Sequence, residues 1–146
     1  MFRNFHNNQR GFTLIEIMVV VVILGILAAI VAPKFLGREE QAQQTRAAVD
    51  IKAIEEALAL FKLDNGFFPS TDQGLKALVT KPESGRIPEK YSENAYLKSV
   101  PVDPWGRPYT YLSPGAHDNF DIVSYGADGE PGGEGTNADV ESWSLN

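Results

Sequence analysis

The sequence predicts an α+β chain: a long N-terminal α-helix, its first half transmembrane, packed by its second half on a small antiparallel β-sheet. Three features predict it. From Ile17 to Ala32, sixteen residues pass without a charge or a hydroxyl. From Arg38 to Leu63, apolar residues recur at steps of three and four, the helical period. Beyond Gly66 the chain breaks into short apolar and aromatic runs separated by Pro, Gly, Asn and Asp, as turn-linked strands do.

The 146 residues allow one domain beyond an anchor. The expected organisation is a leader at 1–11, an apolar transmembrane helix at 12–36 and an α+β domain at 37–146. Roughly 110 residues outside the membrane can bury a modest core. There is no cysteine, so packing or another staple such as a metal must hold the fold. The net charge is −6; without Arg3 and Arg10, residues 12–146 stand at −8. Phosphate binding needs Lys and Arg, so nucleic acid is excluded as the main partner. The basic residues ahead of the apolar run stay cytoplasmic, and the bulk of the chain crosses outward.

Taken in order, residues 1–10 read as a short polar leader in which His6 is solvated. The span that follows is about 20 usable residues, enough to cross a bilayer core. One carboxylate, Glu16, stands at its mouth. A charge facing hydrocarbon costs several kcal/mol, about 2.5–3.5 at a helix centre on insertion scales. A plain signal anchor would leave Glu16 to snorkel. A secretory signal peptide would need a small-x-small site after the run, and Ala28, Ala29 and Ala32 do not form a clean one.

The stretch Gly11-Phe12-Thr13-Leu14-Ile15-Glu16 resembles the processing site of type IV pilin-like proteins. The resemblance implies that a prepilin peptidase cuts between Gly11 and Phe12 and methylates Phe12. It also implies that Glu16 pairs with the terminal amine of a neighbouring subunit. A carboxylate in the first helical turn is favoured by the helix dipole.

Gly25 and Pro33 mark the second half of the span. Interior proline removes the hydrogen bond to Ala29, which allows either a tolerated kink or a segment that unwinds on assembly. Then Ala47, Ile51, Ile54, Leu58 and Phe61 form one stripe, expected to pack on a sheet. Arg46 and Glu55, on charged faces, are candidates for salt bridges between subunits. Asp64-Asn65-Gly66 ends the helix. A continuous helix from Phe12 to Leu63 would be about 78 Å long, more than so small a domain can bury.

Thr71 to Leu78 predicts a short helix capped by Ser70 or Thr71. Asp103-Pro104-Trp105-Gly106-Arg107-Pro108 predicts a rigid turn around a buried Trp105. Strands are expected at Tyr109–Leu112, Phe120–Tyr125 and Glu141–Leu145, joined as a meander through Ser113-Pro114-Gly115.

Leu63-Asp64-Asn65-Gly66-Phe67-Phe68-Pro69, Gln73-Gly74-Leu75, the Asp103–Tyr109 turn, Ser113-Pro114-Gly115 and Tyr125-Gly126-Ala127-Asp128-Gly129 together resemble the major pseudopilins of type II secretion. The similarity runs over nearly the whole chain after the leader and departs from the family pattern at Arg86–Asn94. It implies a type IV pilin-like fold and a structural subunit of the bacterial inner membrane, single-pass, with its C-terminal domain in the periplasm. It further implies a homo-oligomeric helical filament that drives export of folded proteins, with minor pseudopilins, the prepilin peptidase and an inner-membrane assembly platform as partners.

After Arg107 there are seven acidic residues and no Lys or Arg. Glycines allow the backbone to curl tightly, and crowded carboxylates repel unless a cation sits among them. Calcium takes 6–8 oxygens, carboxylates and carbonyls together. On residues alone, a calcium loop and a solvated acidic loop both remain open. The resemblance implies calcium, with Asp128 and Asp139 as side-chain ligands and carbonyls of Tyr125, Thr136 and Asn137 completing the set. Catalysis has little support: there is no zinc set, and neither a nucleophile elbow nor a phosphate loop. His117 is expected in a surface turn. Two rivals remain: a type IV pilus pilin for adhesion, motility or DNA uptake, and a membrane-tethered hydrolase built around His117.

Overall fold

The computed structural model describes residues 11–145, apart from the side chains of 34–36. The leader residues Arg3, His6 and Arg10 lie outside the described residues. The chain divides into two compact units, between Arg38 and Glu39.

Helix α1 spans Leu14–Asn65 and includes both Gly25 and Pro33. Within the first unit its residues are exposed from Leu14 through Pro33 without exception, as are Phe12 and Thr13 before it. It is the one helix among the described residues long and apolar enough to cross a membrane. At its far end Gly66 takes φ 81°, and its N–H bonds the Lys62 carbonyl at 2.7 Å. That left-handed stop suits glycine, which meets no Cβ penalty there.

In the second unit the expected stripe is the core. Ala47, Ile51, Leu58 and Phe61 are fully buried and Ile54 nearly so. They pack with Leu75, Leu78, Tyr109, Tyr111, Ile122 and Val140. Around Phe61 stand Phe67, Tyr91 and Tyr96, with ring centroids 5.3–6.3 Å away.

The sheet has three antiparallel strands in chain order: β1 (Thr110–Leu112), β2 (Asp121–Ser124) and β3 (Val140–Glu141). Tyr111 faces Ile122 across β1 and β2, and Ser124 faces Val140 across β2 and β3. Central β2 is buried along its whole length. The third strand is shorter than expected, because the chain winds into a 3₁₀ turn at Ser142–Ser144.

Two local readings are corrected. The helix expected from Thr71 is only a 3₁₀ turn at Leu75–Leu78, with Gly74 rather than Ser70 or Thr71 at its start. Ser70 and Gln73 instead close on each other, each side chain accepting the other's N–H. Thr71 is drawn away to the β1 end, where its Oγ1 accepts the Ser113 N–H at 2.9 Å. Trp105 is only half-buried. The group that organises its turn is Asp103, 3% exposed. Asp103 Oδ1 accepts the Trp105 and Arg107 N–H groups, and Oδ2 accepts the Ser124 hydroxyl at 2.7 Å.

The Arg86–Asn94 segment has no regular structure, yet it is tied down. Gln73 Nε2 donates to the carbonyls of Ser84 and Arg86, and Lys90 N–H donates to Asn65.

Candidate functional site

The helix start closes on itself. Glu16 N–H donates to Thr13 Oγ1 at 3.3 Å, while Thr13 N–H reaches Glu16 Oε2 at 3.5 Å. This is a capping box, in which two orphan amides of the first turn are satisfied reciprocally. Gly11, Phe12 and Glu16 are all exposed, and an added Cβ at Gly11 would meet nothing within 4 Å. Among the described residues, nothing covers the Phe12 side of the Gly11–Phe12 bond.

The two charged helix residues find partners on their own helix. Arg46 Nε lies 3.9 Å from Asp50 Oδ2, and Lys52 Nζ lies 3.4 Å from Glu55 Oε2. Such pairs one turn apart contribute about 0.3–0.5 kcal/mol. The Arg46 side chain stays 70% exposed, so its guanidinium remains open to a further acceptor.

The acidic loop between β2 and β3 is tightly wound. Gly129 N–H bonds the Tyr125 carbonyl at 3.0 Å, and Ala127 N–H bonds that of Thr136 at 3.0 Å. A Cβ at Gly126 or Gly133 would fall 2.6 Å from the Asn137 carbonyl oxygen. Only glycine admits so close an approach. Arg107 donates to the carbonyls of Gly126 and Ala127, both at 2.9 Å. Gln44, from α1, donates to those of Gly135, Thr136 and Ala138 at 3.0–3.2 Å.

The predicted ligands fall unevenly in this loop. Asp139 Oδ2 accepts the Gly132 N–H at 2.9 Å, whereas its Oδ1 is buried without a hydrogen-bond partner. A buried carboxylate oxygen left unpaired is costly, and a cation satisfies it. Asp128 is exposed and accepts the Glu130 N–H at 3.1 Å. The Thr136 carbonyl already carries two donors, Ala127 N–H and the Gln44 amide. Among the described residues no three His, Cys, Asp or Glu side chains gather as a metal set. The donors this loop offers are carboxylate and carbonyl oxygens. That fits a hard cation such as calcium, which accepts carbonyls readily, and not zinc.

His117 belongs to a turn. Its Nδ1 lies 2.9 Å from Asp121 Oδ2, and its ring stacks on Trp143 at 3.8 Å between centroids. Among the described residues no Ser hydroxyl hydrogen-bonds it, and the chain has no Cys. Sequence reasoning did not single out Gln44. It stands three residues before Ala47, on the same stripe as the core, and an amide continuing an apolar stripe is the signal that marks it.

Several known proteins are similar to this chain. The family model described as "Type II secretion system (T2SS), protein G" matches residues 34–143, and the "Prokaryotic N-terminal methylation motif" matches residues 6–32. A type II secretion system core protein G of Vibrio cholerae is 56% identical over 137 residues, covering 94% of this chain and 93% of that protein. The protein of the same description from Pseudomonas aeruginosa is 57% identical over 135 residues, covering 92% and 95%. A crystal structure of the major pseudopilin from the type 2 secretion system of enterohaemorrhagic Escherichia coli superposes with a TM-score of 0.66 at 38% identity. It covers 75% of this chain and 93% of that one.

Proposed function

The chain belongs to the type II secretion system protein G family, and from that premise we propose how its residues build a secretion pseudopilus. It is a structural subunit, the major pseudopilin, and the type IV pilus alternative is not favoured. The family is one of structural subunits, and in this reading His117 is a turn residue held by Asp121 and Trp143.

The reading rests on one observation: the apolar part of α1 from Leu14 to Pro33 is exposed throughout, and its one acid, Glu16, sits in the first turn. Lipid tails are as apolar as leucine, so moving such a helix from bilayer to like helices gains little hydrophobic energy. Exchange between membrane store and filament is then nearly neutral, and selectivity must come from charge. The prepilin peptidase cuts after Gly11 and the Phe12 amine is methylated. That amine, still cationic, meets Glu16 of an adjacent subunit. Two charges out of water stabilise little on balance, but leaving one unpaired costs about 3–5 kcal/mol. The pair therefore selects register rather than supplying adhesion. Arg46, exposed on α1, offers a second inter-subunit contact, and Glu55 a third. The filament grows in the periplasm from the inner-membrane assembly platform, with minor pseudopilins in the same structure, and drives export of folded proteins.

The acidic loop is the calcium site of this reading. Calcium would supply positive charge beside Asp128 and Asp139. Asp139 Oδ1 is already turned inward, and carbonyls of Tyr125 and Asn137 complete the set more readily than that of Thr136, whose acceptor capacity is spent.

The test co-produces the full chain with a secretion apparatus and weighs sheared filaments. Glu16→Ala is expected to be cut normally but to yield few filaments. Wild-type filament yield from that variant would end the amine-pairing reading. Gly11→Trp is expected to remain uncut, visible as a heavier species by mass spectrometry.

A further inference from the structure

We propose that Gln44 is the positioning residue that couples the acidic loop's cation to the part of helix α1 that lies in the second unit. The proposal rests on the calcium reading of that loop. Gln44 Nε2 lies 3.2, 3.2 and 3.0 Å from the carbonyl oxygens of Gly135, Thr136 and Ala138. An amide nitrogen carries two protons, so three oxygens share them. Carbonyl dipoles aimed at one point repel each other, and the amide holds this convergence together.

The outgoing limb of the loop has its own anchor, Arg107, on Gly126 and Ala127. The two limbs meet at Ala127 N–H and the Thr136 carbonyl. Gln44 ties the returning limb to α1 through these side-chain hydrogen bonds. Asp139, with its unpartnered buried oxygen, is the next residue after Ala138. Holding Ala138 therefore sets where that oxygen points. Coupling of this kind is reciprocal: a cation that orders the limb also orders the helix around Gln44, and loss of Gln44 weakens the cation site without removing a ligand.

The test uses the mature full-length protein in detergent micelles, with calcium chloride as the probe. Calcium affinity is read by titration calorimetry and local order by amide hydrogen exchange. In wild type, calcium is expected to slow exchange at Ala127 and Ala138 and also at residues 44–48. Gln44→Met keeps length and bulk but removes the donor. It is expected to weaken calcium binding about tenfold or more and to abolish the helix response, with exchange at Ile122 and Val123 unchanged. Gln44→Leu gives a second donor-free variant should the first fold poorly. Asp128→Ala is expected to lose calcium while keeping wild-type protection of Ala127 in metal-free buffer, protection that Gln44→Met lowers. Unchanged calcium affinity in both Gln44 variants, with wild-type binding intact, overturns the coupling. A wild-type protein that takes up no calcium overturns the calcium reading itself, and the coupling with it.

Discussion

Asp121 begins β2 with 3% of its surface exposed, and its carboxylate gathers the turn that precedes it. It accepts the Ala116 and His117 N–H groups and faces the His117 ring. Burial pushes its carboxyl up, but those hydrogen bonds and the His117 charge outweigh burial and hold it below its ordinary 3.8. A depressed folded pKa contributes stability that is present above the unfolded value and lost as pH falls through the folded one. Wild type should therefore lose melting temperature progressively below about pH 4, and Asp121→Asn should flatten that acid limb. Tyrosine sets the opposite limb. Burial, then the charge of Asp50, pushes Tyr109 well above its ordinary 10, and burial raises Tyr111. A raised folded pKa gives stability that is full below about pH 10 and lost as pH climbs beyond it. Alkaline unfolding followed by tyrosinate absorbance should start near that pH, and Tyr109→Phe should shift it upward. Asp103 is the other buried acid among the described residues; Asp103→Ala strands two backbone amides and the Ser124 hydroxyl, a loss of about 3 kcal/mol by urea melt.

Helix α1 works differently along its length, and each part has its own weak point. In the second unit Phe61 is fully buried among aromatic rings. Phe61→Ala removes the largest side chain of the stripe, and chemical denaturation should show a loss of about 3–5 kcal/mol. Val49, Leu60 and Leu63, also on α1 but off the stripe, are exposed. Their truncation to Ala should move stability by less than about 0.5 kcal/mol. Between β2 and β3, the loop depends on backbone closeness. Gly133→Ala places a methyl against Asn137 at a positive φ, so it should lower calcium affinity while leaving the metal-free core protected in hydrogen exchange.

At the scale of the whole molecule, secretion needs a chain that can be stored in a membrane, cut and stacked. On the proposed calcium reading, removing the cation should loosen the second unit and leave the first unchanged. Chelation is expected to lower the melting temperature of the full-length protein, and Asp139→Ala should remove that response. A melt identical with and without chelator would leave the loop merely acidic. The same chelation should reduce sheared filament yield, because an unwound loop no longer presents a fixed surface to its neighbours.

Strong periodicity determined most of what the sequence by itself could say. The long apolar run, the core stripe from Ala47 to Phe61, the stop at Gly66 and the order of three strands follow from hydrophobic spacing and turn chemistry, which act locally. Thr13 and Glu16 likewise meet within one turn. What only the tertiary structure decided lies between residues far apart in the chain. Thr71 left its expected cap for Ser113, Asp103 rather than Trp105 took the centre of its turn, and Gln44 reached across to the carbonyls of 135–138. Polar side chains choose partners by three-dimensional proximity, and no spacing along the chain encodes which distant carbonyl will be left needing a donor.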